Sequence, residues 1–110
     1  MKQTFEEFIS FELQEIKKGI TLIYFTLKRD IEPKDLKDIN PPDPVKNRFS
    51  QNLVILSGRG PIWLYGFLIH FYHPVRAIAV FDPRLDSAVI IESHTIEFRV
   101  GDITKVEDKR

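Results

Sequence analysis

The stretch ILSGRGPIWLYGFLIHFYHP (Ile55–Pro74) runs from an apolar strand end through Ser-Gly-Arg-Gly-Pro into a helix that closes on two histidines. The apolar run before the turn, Leu53–Ser57, reads as a buried strand. After Pro61, the residues Leu64, Phe67, Leu68 and Phe71 recur at i, i+3, i+4 and i+7. That spacing predicts a helix over Pro61–Tyr72 with one apolar stripe for a sheet. A second apolar run, Ala77–Phe81, follows it. Strand, helix and strand of this kind predict a right-handed βαβ unit with a parallel pair.

Working outward, Ile9, Phe11 and Leu13 alternate with Ser10, Glu12 and Gln14, the pattern of a half-buried strand. Lys17–Gly19 reads as a turn, and Ile20–Leu27 as a strand covered on both faces. Pro33 followed by Leu36 and Ile39 predicts a short helix, which Asn40–Pro44 breaks. A polar loop then runs to about Asn52. DPRLD (Asp82–Asp86) turns the chain, and Ser87–Ile91 returns as a strand. The expectation is one α/β domain over residues 1–110: a mixed sheet of roughly five to six strands with two helices. The charged end KVEDKR (Lys105–Arg110) is expected to fray.

Composition narrows the functional classes. The 110 residues are 43% hydrophobic and 12% aromatic, enough for a core. Sixteen basic and sixteen acidic side chains cancel, which argues against broad binding of long duplex nucleic acid. A small anion held by a few local charges stays compatible with that balance. No cysteine is present, so thiolate metal sites and thiol nucleophiles are excluded. The acidic start MKQTFEEFIS has no signal-peptide core, and no apolar run reaches the ~20 residues of a membrane span. A soluble cytoplasmic protein is the expectation.

Chemistry is expected at two places. Ser57 and Asp82 stand at the carboxyl ends of predicted parallel strands, where α/β sheets gather ligands. Gly58-Arg59-Gly60 lets a backbone approach closely, Pro61 opens a helix whose N-terminus favours anions, and Arg59 and Arg84 offer guanidinium forks. The plainer reading is a tight turn with a solvated arginine. The other place is the helix's far end. Trp63, Gly66, His70 and His73 share a stripe beside the apolar one. Gly66 costs ~1 kcal/mol relative to alanine there, so either something large approaches the stripe or a second subunit packs on it. His94 follows the returning strand and falls at the same edge as His73. The helix is about 18 Å long at ~1.5 Å per residue. Ser57, Arg59, Asp82 and Arg84 therefore form one pole, and His73 and His94, with His70 close by, the other.

The run SGRGPIW, the helix end HFYHP, then AVFDPRLDSAVIIESH and Gly101-Asp102 resemble, in order, a small CRISPR-associated family: the compact ring nuclease of type III systems, earlier described as a manganese-dependent deadenylating exoribonuclease. The resemblance covers roughly Leu53–Asp102. It implies a distant Rossmann-like ligand-binding fold, and dimers that stack into tetramers or filaments around cyclic tetra-adenylate. It also implies manganese-dependent cleavage of that ring to linear di-adenylates, which switches off type III signalling. Carried over by motif, His73, Asp82 and Arg84 would be catalytic, and Ser57, Gly58, Arg59 and Gly60 would bind the ligand. Asp82, His73 and His94 would hold manganese, with His73 either a ligand or a proton carrier. Competing expectations are a non-cleaving cyclic oligoadenylate sensor, a 3′ deadenylating exoribonuclease, and a structural subunit.

Overall fold

The computed structural model describes residues 2–5 and 7–106. Among these, seven strands form one sheet in chain order: β1 (Lys2–Phe5), β2 (Ile9–Lys17), β3 (Ile20–Leu27), β4 (Leu53–Gly58), β5 (Ala77–Asp82), β6 (Ser87–Ser93) and β7 (Ile103–Lys105). The pairs β3–β4 and β4–β5 are parallel, and the remaining pairs are antiparallel. A 3₁₀ helix (Pro33–Asp38) lies on the β3-to-β4 connection, and helix α1 (Ile62–Phe71) on the β4-to-β5 connection. This is the mixed α/β sheet with a parallel centre that the βαβ pattern predicts.

Alternation along the strands divides the core into two layers. Phe11, Ile23, Phe25, Val54, Leu56 and Ile78 point to one face, and Leu22, Leu53, Ile55, Ala77, Ala79 and Ile90 to the other. The first face is covered by Ile39 and Phe49 from one connection and by Leu64, Leu68, Tyr72 and Val75 from the other. Two right-handed crossovers that step the same way across a sheet must lie on one face, as these do. The second face packs against Phe98 and Val106.

Four features differ from the sequence expectation. Strands β1 and β7 raise the count to seven. Lys105 ends β7 and Val106 is buried, so the start of KVEDKR is tied down; residues 107–110 lie outside the described part. The segment after Glu32 is a six-residue 3₁₀ helix, closed by extended Ile39 ahead of Asn40-Pro41-Pro42. Finally, Phe71 is 37% exposed, while Tyr72 is fully buried. Tyr72 wins the core position because its hydroxyl donates to the Pro42 carbonyl at 2.7 Å, a bond Phe71 cannot make. Burial pushes the Tyr72 phenol well above its ordinary range, so it remains a donor. Phe71 packs edge-on to it, with ring centroids 4.9 Å apart.

The Ser-Gly-Arg-Gly turn is locked from two sides. Gly58 pairs with Phe25 across the parallel β3–β4 ladder and has φ +148. A Cβ there would stand 2.5 Å from the Phe25 carbonyl oxygen and 2.8 Å from its ring. The Gly58 carbonyl accepts a 2.6 Å hydrogen bond from the Tyr65 hydroxyl, one turn into α1, and the Tyr65 ring meets Phe25 edge-on. A Cβ on Gly60 would touch Leu64 and Phe25 at 3.0 Å. Packing therefore demands glycine at Gly58 and favours it at Gly60, and Arg59 stands exposed between them.

Gly58→Ala should cost roughly 2 kcal/mol or more, because both the backbone angle and the Phe25 contact resist a Cβ. Urea denaturation checks this; a loss within 0.5 kcal/mol of zero, on the order of an ordinary surface substitution, would contradict the lock. Burial also raises the Tyr65 phenol from 10.0 to about 12. The unfolded chain then loses this proton at lower pH than the fold does. Its contribution is fully present below pH 10 and lost as pH rises through about 12. Tyr65→Phe should flatten part of that alkaline decline in a melting series; an unchanged decline would place the loss elsewhere.

Candidate functional site

The two poles lie at opposite ends of β5. Five steps of ~3.3 Å separate Ala77 from Asp82, roughly 16 Å. Helix α1 runs back along the same distance, ten residues at ~1.5 Å each. Arg59, just before α1, therefore falls at the Asp82 end, and His73, just after it, at the Ala77 end.

At the strand carboxyl ends, a small crevice of about 200 Å³ is lined by Tyr24, Ser57, Gly58, Arg59, Tyr65, Phe81 and Pro83. Arg59 and Tyr24 also border a larger groove of about 860 Å³, whose walls are residues 25–31 and the start of α1 through Trp63. One wall is held by Arg29, which donates to Asp35 at 3.1 Å and lies 4.7 Å over the Phe8 ring. That hydrogen bond keeps the Asp35 carboxyl below its ordinary range. The exposed Arg59 guanidinium thus stands on a ridge between two openings, open to an anion from either side.

Asp82 shapes the β5–β6 turn. Its Oδ1 accepts from the Arg84 backbone N–H at 2.9 Å, and its carbonyl accepts from Leu85 at 3.1 Å. Asp86 closes the turn at φ 51, a conformation that aspartate tolerates. The result displays Arg84, whose side chain is 90% exposed and 3.6 Å from Asp82 Oδ2. A carboxylate and an exposed guanidinium thus project together from a fixed turn, beside the crevice that Pro83 lines.

At the other end, three side chains converge. His73 Nδ1 lies 2.6 Å from Glu92 Oε2, and His94 Nε2 lies 3.1 Å from the same oxygen. His94 Nε2 is also 3.0 Å from the His73 carbonyl, and the two rings meet edge-on at 5.4 Å. The His94 backbone N–H donates to the Arg76 carbonyl at 2.9 Å, and Arg76 pairs with Glu97. These bonds fasten the segment after β6 to the start of β5.

A β-bulge makes this convergence possible. Ala79 pairs with Ile90, yet Ile78 pairs with Glu92, so Ile91 is the extra residue. Ala88 and Ile90 point to the face opposite α1. Strict alternation would send Glu92 there too. The bulge instead sets Glu92 across from Ile78, whose side chain lies under the helix. The carboxylate is thereby turned toward His73, which ends the helical crossover.

The sequence-predicted site residues therefore fall into two groups. Ser57, Gly58, Arg59, Gly60, Asp82 and Arg84 gather at one end. His73 and His94 gather at the other, joined by Glu92, which sequence reasoning missed. Within one chain Asp82 does not reach the two histidines, and the nearby carboxylate oxygen is that of Glu92. His70 is exposed and its ring stands outside the cluster. Among the described residues, nothing beyond the adjoining backbone of α1 lies within 4 Å of a Cβ built on Gly66, so that face of α1 is open. The donor atoms of His73, Glu92 and His94 lie within 4.8 Å of one another, and two imidazoles with one carboxylate suit a divalent transition metal.

Comparison with known proteins agrees with the motif order. The model of the CRISPR-associated protein family Cas_csx3 matches residues 24–105, from β3 to the end of β7. An uncharacterized protein of Aquifex aeolicus (strain VF5) is 56% identical over 105 residues, covering 96% of this chain and 95% of that protein. With both ends of β5 and the side chains gathered there inside the matched region, the chain belongs to the CRISPR-associated Cas_csx3 family.

Proposed function

We propose that this protein is a manganese-dependent ring nuclease: it binds cyclic tetra-adenylate and cleaves it to linear di-adenylates, ending a type III CRISPR signal. The observation that carries the reading is the separation of an arginine-bearing pole from a histidine pole on one chain of a CRISPR-associated family. A messenger held between stacked molecules would meet the first pole of one copy and the second pole of another.

The chemistry is phosphodiester cleavage. A ribose 2′-hydroxyl or a water attacks phosphorus in line, and the opposite P–O bond breaks. Arg59 and Arg84 suit the non-bridging oxygens, since planar forks match phosphate geometry. Ser57, Gly58 and Arg59 border the crevice where a ligand would rest, and Gly60 borders the adjoining groove. Asp82 orients the turn that presents Arg84. His73 brings an imidazole to the same phosphodiester from the opposite pole, either as a manganese ligand or as a proton carrier for the attacking or leaving oxygen. Manganese, when bound, supplies positive charge against the charge that develops on the phosphoryl oxygens.

The test is incubation of the protein with cyclic tetra-adenylate and manganese, with products read by chromatography. Linear di-adenylates are expected, with activity lost in chelator and restored better by manganese than by calcium. Tight binding without turnover would make the protein a sensor instead. Arg59→Ala should weaken ring binding roughly tenfold or more in calorimetry, the size of a charge-assisted bond. Unchanged affinity would return that turn to a purely structural role. His73→Ala and Asp82→Ala should each lose roughly a hundredfold or more in rate. Mixed together, they should regain part of it, because some contacts then pair an intact histidine pole with an intact Asp82 pole. Two variants that stay inactive when mixed, with wild-type rate linear in enzyme, would place the chemistry at one pole.

A further inference from the structure

We infer that Asp35 is a specificity-determining residue: by holding the Arg29 guanidinium against the β3-to-β4 connection, it keeps the groove beside Arg59 from gripping an open, single-stranded adenylate. The inference rests on the proposed function in one respect. It takes the closed ring as the ligand to be kept and a linear strand as the ligand to be refused.

The groove itself poses the problem. Its walls carry Tyr24, Phe25 and Trp63 together with Lys28, Arg29 and Arg59. Aromatic faces for bases among cations for phosphates are the inventory of a site that binds single strands. A linear strand is therefore the natural competitor of a small ring at this end of the sheet.

Arg29 is withheld from that inventory. Its two terminal nitrogens donate to the two carboxylate oxygens of Asp35 at 3.1 and 3.4 Å, and Nη1 also donates to the Asp30 carbonyl at 2.8 Å. The guanidinium lies 4.7 Å over the Phe8 ring. The Asp35 hydrogen bond raises the Arg29 guanidinium above its ordinary value, and Glu7 and Glu32 add attraction. The side chain is 50% exposed, so its partners restrain it rather than burial. Arg84 is the contrast: it is 90% exposed, and 3.6 Å from its carboxylate it stands outside hydrogen-bond range. Among the described residues, no carboxylate pairs with Arg59. The two arginines that the proposed function uses are loose, and the third is fixed.

Asp35 supplies more than its local turn requires. Its Oδ2 accepts from the Glu32 backbone N–H at 2.7 Å and so closes the capping box of the 3₁₀ helix. An asparagine oxygen would accept that bond equally. It would lack the second oxygen and the charge that meet the fork of Arg29. Yet the Asp35 side chain is only 12% exposed, and a carboxylate so far from water is costly unless paired. The pair has a consequence for polyanions. A guanidinium already neutralised by a carboxylate has no condensed counterion to exchange with a strand, so a phosphate gains little by reaching it.

The test is binding of a linear oligoadenylate of about ten nucleotides to the full chain, read by fluorescence anisotropy over a range of salt without manganese. Asp35→Asn keeps the cap and frees Arg29. It should tighten strand binding roughly threefold or more at low salt, the reach of one exposed ion pair. The fall of log K with log salt should steepen by about 0.7, the slope of one added phosphate contact on a single strand. Cyclic tetra-adenylate, held by Arg59 and Arg84, should stay within roughly twofold of its wild-type affinity, so the preference for ring over strand falls. A purely structural Asp35 would instead weaken both ligands. Unchanged or weaker strand binding by a variant of native circular dichroism overturns the inference, and so does an equal gain for the ring. If that variant does not fold, the neutral pair Arg29→Gln with Asp35→Asn carries the test. It should bind the strand within roughly twofold of wild type, and a larger loss, meaning that Arg29 already grips the strand, overturns the inference. The two proposals fail separately. A wild type that neither binds nor cleaves the ring removes the nuclease, while the strand comparison still reads Asp35. Ring cleavage with strand affinity indifferent to Asp35 removes this inference and keeps the nuclease.

Discussion

Strand β5 is the spacer on which the layout of the two poles depends. It is hydrogen-bonded in parallel to β4 and antiparallel to β6, with Ala77, Ile78 and Ala79 fully buried. A strand held on both edges and packed on both faces cannot shorten or bend to bring its ends together. Helix α1 is tied to the same span by Leu64, Leu68 and Tyr72. The distance between Arg59 and His73 is therefore as fixed as the distance between Asp82 and Ala77. Each pole consists of residues at the ends of rigid elements, which is where a scaffold places reactive groups without weakening its core.

Two local departures from regular geometry finish the poles. At one end, Gly58 allows β4 to leave the sheet against Phe25, and Tyr65 holds the Gly58 carbonyl from the helix. At the other, one extra residue in β6 rotates Glu92 across the sheet plane. A regular ladder would leave the ridge of Arg59 blunted and the histidines without a carboxylate. The fold gives up a little ladder regularity at both positions and obtains a charged feature at each.

The legible part of the sequence was the part with strong periodicity. Buried runs on either side of an amphipathic helix announced β4, α1 and β5, and the direction of that helix separated the poles. The short edge strands were not legible: Lys2–Phe5 and Ile103–Lys105 have no long alternation of their own and are strands because a neighbour pairs with them. Phe71 and Tyr72 were exchanged because apolar spacing cannot see the Pro42 carbonyl waiting for a hydroxyl. Glu92 was hidden for a sharper reason. Period-two logic carried forward from Ala88 and Ile90 puts it on the wrong face, and a bulge leaves no mark in Ile90-Ile91-Glu92. The one available clue was Glu92-Ser93-His94, two metal-competent residues at i and i+2, which share a strand face whichever face that is.

The central claim is that one chain carries two poles and the reactive site forms between chains. The most direct measurement is a crystal structure of the protein bound to a phosphorothioate analogue of cyclic tetra-adenylate that resists cleavage. The account predicts a single phosphodiester flanked by Arg59, Asp82 and Arg84 of one molecule and by His73, Glu92 and His94 of another. A ring whose scissile phosphate meets only one of the two groups, with the other facing solvent, would contradict it.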